Sequence, residues 1–170
     1  VGIGAARLVA MTAMPEMVAV LNGFGGISSL LVGWSAYILN PVADMLTVIT
    51  ICLSVLIGGL TFTGSIIAWG KLAEFITTKP ITFFGQNLLN SLLLLGSLAV
   101  TVLLVIDPSK EIYFLVLMGI SLILGIMAVI SIGGGDMPVV ISLLNSYSGI
   151  AACAAGFVIQ NMLLIFVNVG

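Results

Sequence analysis

Asn22, Thr61, Ser65 and Asn145 are polar side chains set inside long apolar runs, in a chain of 170 residues that contains no histidine. Polar groups at such positions are costly and often mark an ion or proton pathway. Asn22 lies seven residues beyond Pro15, roughly 10 Å along a helix at about 1.5 Å per residue. Ser65 precedes Lys71 by six residues, which is roughly 9 Å. Thr61 is one turn from Ser65 on the same helix face. Asn145 lies seven residues beyond Pro138, at the depth of Asn22. Three helices would then offer polar groups at one level, where water could form a hydrogen-bonded wire. The competing reading is interhelical bonding, worth about 0.6 kcal/mol per contact on average.

The elements that carry these residues follow from composition. Hydrophobic residues make up 61% of the chain and charged residues only 6%, with four Lys/Arg against six Asp/Glu. Mean hydropathy is +1.38. A soluble domain typically carries about 25% charged residues. The apolar runs are continuous and about as long as a bilayer requires, without the period-two alternation of a barrel. Helices therefore satisfy the backbone. The fold expected is all-α: a polytopic transmembrane bundle of about six full or nearly full spans plus truncated helix ends. The net charge is −2, with no basic patch, so nucleic-acid binding has no support.

One membrane domain is expected over 1–170, with helices at 1–10 (partial), 15–39, 42–70, 86–106, 112–131, 138–159 and 162–170 (partial). Asn40-Pro41, Lys71 to Pro80, Asp107-Pro108-Ser109-Lys110-Glu111, Gly133-Gly134-Gly135-Asp136 and Gln160-Asn161 mark the breaks. A chain that lacks an initiating Met and begins and ends in apolar sequence is read as a fragment of a longer protein. Arg7, Lys71 and Lys79 fall in odd-numbered loops and Lys110 alone in an even one. That bias puts the odd loops on the cytoplasmic or matrix side.

Met14-Pro15 and Leu21-Asn22 align with Met137-Pro138 and Leu144-Asn145, and Gly26-Ile27 with Gly149-Ile150. Across an even number of helices, this fits a parallel repeat of the kind some transporters use; two unrelated helices with Pro at their first position fit as well. Gly58-Gly59, Gly64 and Gly70, and the run Gly23-Phe24-Gly25-Gly26 that would interrupt its helix, fit close packing or a hinge. Asp136 stands at a helix entrance beside three glycines, where it could cap the helix or meet a partner domain on a mobile turn. No strand precedes it, so the glycines are no phosphate loop. Cys52 and Cys153 suit packing better than a disulfide or a metal.

Gly133-Gly134-Gly135-Asp136-Met137-Pro138-Val139-Val140, followed by Leu144-Asn145-Ser146-Tyr147-Ser148-Gly149, resembles the signature of the β subunit of proton-translocating NAD(P) transhydrogenase. Thr61-Phe62-Thr63-Gly64-Ser65 with Gly70-Lys71-Leu72, and Met14-Pro15-Glu16-Met17-Val18-Ala19, resemble two further blocks of that family, in family order. The resemblance implies hydride transfer between NADH and NADP⁺ coupled to proton movement across a bacterial cytoplasmic or mitochondrial inner membrane. It implies that soluble domains hold NADP(H) and NAD(H), and that this stretch binds no cofactor; without His or a ligand spacing, no metal is expected either. The partners implied are an α subunit with its NAD(H)-binding domain, a C-terminal NADP(H)-binding domain of the same chain, a dimer of the whole complex and the lipid bilayer.

Residue by residue, the resemblance assigns Ser65 and Asn145 to the proton path and Asp136 to coupling with the NADP(H) domain. Asn22 stands where many members carry a histidine. Asparagine has no titratable proton but bonds water, so the accepting group would come from another subunit, from further helices or from water. Two other classes compete: a secondary transporter framed by the repeat, which would move solute without nucleotides, and a structural membrane anchor, which would tolerate Asn22→Leu and Asn145→Leu.

Overall fold

The computed structural model describes residues 13–39 and 44–168, with side chains as far as Ile159. The apolar runs form five long helices: α1 (Met14–Leu39), α2 (Met45–Leu72), α3 (Gln86–Ile106), α4 (Glu111–Ile130) and α5 (Met137–Asn168). A 3₁₀ turn, Gly134–Asp136, leads into α5. All five helices are long and apolar enough to cross a membrane, and no strand occurs among the described residues. Pro15 sits in the first turn of α1, where its missing N–H costs no helical bond. Gly85 enters α3 in the left-handed region, with φ of 86°.

The helix α2 is the hub. It packs against α1, α4 and α5, while α3 leans mainly on α4. Small residues permit this. A Cβ on Gly26 of α1 would come within 2.8 Å of the Gly58 carbonyl oxygen and 2.7 Å of the Phe62 nitrogen of α2. Gly125 of α4 lies directly against Leu60 and Thr63 of α2. Hydroxyls then bond across the crossings: Ser54 donates to the Ser29 carbonyl at 2.7 Å and Thr63 to the Leu122 carbonyl at 2.8 Å. At the far end of the bundle, Tyr37 stacks on Phe114 with ring centroids 4.3 Å apart and donates to the Pro108 carbonyl at 2.9 Å.

Several expectations change. Gln160-Asn161 does not break the chain; α5 continues through it to Asn168, so the expected helix at 138–159 and the start of the next, 162–168, are parts of one helix. Both residues keep their backbone N–H, and their helix propensities cost at most about 0.7 kcal/mol each. Gly23-Phe24-Gly25-Gly26 does not interrupt α1, because α2 packs closely against it and holds it helical. Lys71 is no loop residue but lies buried in the last turn of α2. The partial helix expected at 1–10, with Arg7, and the Asn40-Pro41 break lie outside the described residues.

Candidate functional site

Asn22, Ser65 and Thr61 come together between α1 and α2. Asn22 Nδ2 donates to Ser65 Oγ at 3.0 Å, with both residues buried. A Cβ on Gly23 would meet the Ser65 Cβ at 3.4 Å, so the two helices are close enough here for such short side chains to touch. Thr61, on the same face of α2, is fully buried.

The bonding at this level is incomplete. Asn22 Oδ1 and Thr61 Oγ1 are buried with no hydrogen-bond partner among the described residues. An unsatisfied buried polar atom costs about 1–3 kcal/mol. Ser54 and Thr63, by contrast, are accounted for as interhelical bonds. Interhelical bonding alone therefore explains those two residues but leaves an acceptor on Asn22 and a donor on Thr61 over.

Asn145 joins neither Asn22 nor Ser65. It is exposed, on a groove between the two Met-Pro helix starts, lined by Met14, Pro15 and Val18 of α1 and by Pro138, Ile141 and Ser142 of α5. Further along, at Gly25 of α1 and Ser148 of α5, a Cβ on Gly25 would come within 2.9 Å of Ser148 Oγ. The matched helix starts thus lie side by side and run parallel. Val18, Asn22 and Gly25 recur at helical spacing on one face, so Asn22 lies between two levels at which α1 meets α5. Ser148 stands in the Asn-Ser-Tyr-Ser-Gly run, and its approach to Gly25 depends on helix rotation, which the sequence does not display. The other cleft beside this pair, lined by Ala19, Gly23, Phe24, Phe62 and Trp69, presents an apolar surface.

Asp136 is exposed in the 3₁₀ turn, at the end of the bundle where α2 and α4 finish and α5 starts. No hydrogen bond or ion pair joins its carboxylate to another described residue. No cluster of three or more metal-ligating side chains occurs among the described residues. Cys52 and Cys153 are both free.

The family model for the NAD(P) transhydrogenase beta subunit matches residues 1–169. The chain belongs to the NAD(P) transhydrogenase β-subunit family. Two Rhodospirillum rubrum sequences, one from a named strain, are each described as NAD(P) transhydrogenase subunit beta. Each is 40% identical to this chain over 174 residues, covering 97% of the chain and 37% of the relative. The chain thus spans little more than a third of the curated relatives it matches. Its five apolar helices and its place among transhydrogenase β subunits make it an integral membrane protein.

Proposed function

We propose that this chain is the proton-conducting membrane part of a proton-translocating NAD(P) transhydrogenase, in which hydride transfer between NADH and NADP⁺ drives or uses proton movement. The observation that carries the reading is the buried Asn22–Ser65 bond with an acceptor and a donor left over beside it. Asn22 Oδ1 can accept from one water and Thr61 Oγ1 can donate to another. Waters so held, with Ser65 between them, pass protons without any side chain changing charge.

Asn145 belongs to the same path in this reading. It faces the groove beside Asn22's stripe, which further helices of the complex would close. Asp136, exposed on its turn, meets the NADP(H)-binding domain of the same β chain. A carboxylate of this kind biases the channel only if its contacts differ between nucleotide states. NAD(H) is held on the α subunit's soluble domain, and the whole complex is a dimer. Lys79 on the Asp136 side is consistent with that side facing the cytoplasm or matrix, in a bacterial cytoplasmic or mitochondrial inner membrane.

The test uses the intact complex in liposomes with a trapped pH dye, supplied with NADPH and an oxidised NAD analogue. Hydride transfer and lumenal pH are recorded together. Transfer accompanied by an uncoupler-sensitive pH change is expected. Transfer with no pH change removes the proton path, and solute uptake without nucleotides points to a transporter instead.

A further inference from the structure

Lys71 is wholly buried, an unusual position for an ammonium group near a helix end, where a lysine ordinarily extends its charge to water. All six carboxylate side chains of the sequence lie among the described residues, and none forms an ion pair with it. Its three N–H groups go to backbone carbonyls instead: Ile130 at 2.6 Å, Ile132 at 2.7 Å and Lys79 at 3.5 Å. Ile130 ends α4 and Ile132 lies just beyond it. A helix C-terminus leaves carbonyls without intrahelical donors and carries partial negative charge. Lys71, from α2, therefore caps α4 across the bundle with charge-assisted bonds.

The same knot holds the turn that bears Asp136. Gly134 N–H donates to the Thr78 carbonyl at 2.7 Å, and Ile81 N–H donates to the Ile130 carbonyl that Lys71 also binds, at 3.2 Å. A Cβ on Gly134 would meet the Thr78 Cβ at 3.0 Å. The turn, the segment 78–81 and the end of α4 are thus tied through one ammonium to the last turn of α2. Ser65 precedes Lys71 by six residues on that uninterrupted helix, roughly 9 Å away. Gly64, beside Ser65, packs so closely that a Cβ there would lie 3.1 Å from Val129 near the end of α4 and 3.3 Å from Leu144 of α5.

We propose that Lys71 is a positioning residue that transmits displacement of the Asp136 turn to Ser65 and Asn22. It touches neither the nucleotides nor the polar pair; it makes the turn and α2 move as one. The inference rests on the proton-pump reading and deepens it.

The test compares Lys71→Met, Lys71→Arg and Gly134→Ala in the intact complex, reconstituted with a trapped pH dye. Lys71→Met keeps the length but has no donor; Lys71→Arg keeps charge and donors. Expected for Lys71→Met is at least a fivefold fall in protons moved per hydride transferred and loss of the stimulation by uncoupler. Hydride transfer in uncoupled vesicles stays within twofold. Lys71→Arg restores at least half of the ratio. Gly134→Ala, which leaves Lys71 in place and pushes against Thr78, lowers the ratio in the same direction and stands in if Lys71→Met does not assemble. A wild-type ratio in Lys71→Met, or in Gly134→Ala where only that variant assembles, overturns the proposal. Failure of the underlying reading looks different: the unmutated complex itself transfers hydride with no pH change.

Discussion

Gly26 and Gly58 face each other across the α1–α2 crossing so that a Cβ on either would stand 2.8 Å from the other's carbonyl oxygen. Backbone does not yield as a flexible side chain does, so an added methyl drives the helices apart. Overpacking of this kind costs about 1–3 kcal/mol. Gly26→Ala and Gly58→Ala are each expected to lower the thermal unfolding midpoint and to weaken the Asn22–Ser65 bond. Gly96→Ala and Gly119→Ala, which meet nothing within 4 Å, are the controls and leave the midpoint unchanged or slightly raised. A midpoint for Gly26→Ala equal to those controls would contradict the crossing described.

Asn22→Leu with Asn145→Leu separates a water path from a structural anchor. The double variant removes polar atoms from both helices while preserving bulk. The expected result is assembled complex with proton flux reduced at least tenfold. Unchanged pumping by the double variant would mean that the two residues have no part in conduction.

Asp136→Asn deletes a charge that no described residue neutralises. Because the side chain is exposed, the folding midpoint is expected to stay put. The ratio of protons moved to hydride transferred is expected to fall. Normal pumping with a normal ratio would remove Asp136 from the coupling step.

At the opposite end, Ser109 donates to Asp107 at 2.6 Å, and Lys110 lies 3.4 Å from the same carboxylate. The Ser109 hydroxyl chiefly, then Lys110, holds the Asp107 carboxyl below its usual range, and Asp107 in turn raises Lys110. A depressed carboxyl pKa stabilises the fold above the unfolded value of 3.8, and that stabilisation is lost as pH falls through the folded value. The pair is open to solvent, with side-chain exposures of 53% for Lys110 and 39% for Asp107, which keeps the effect small. Ser109→Ala is expected to move the Asp107 midpoint upward in a carbon-13 NMR titration; no movement would show that the hydroxyl is not the main cause.

Tyr37 offers a graded check on the bundle's far end. Tyr37→Phe loses the bond to the Pro108 carbonyl and keeps the stack on Phe114, at a cost of about 1 kcal/mol. Tyr37→Ala loses both, with about 3–5 kcal/mol expected by analogy with buried aromatics. Equal midpoints for the two variants would show that the stack contributes nothing.

The five long helices were legible because each apolar run is about as long as a bilayer requires, and the turn at 107–110 was legible from its charges and Pro108. The pairing of Asn22 with Ser65 was half legible: depth follows from residue count, whereas contact depends on Gly23 and Gly26 letting the helices close. The outward aspect of Asn145 was not legible, since helix rotation is set by neighbours that a single run does not name. Lys71 was misread for the same reason. A lysine near a helix end normally reaches water, and only the arrival of the α4 terminus supplies the carbonyls that bury it.

The bond between Asn22 and Ser65 also bears on how the chain is made. An asparagine side chain entering the bilayer on a lone helix has lipid as its only neighbour, which opposes insertion. Its partner arrives on the very next helix, so the two can enter as a hairpin with one polar group already matched. Adjacency along the chain thus places donor and acceptor on a single helical hairpin, against which α5, from much later in the sequence, has only to pack.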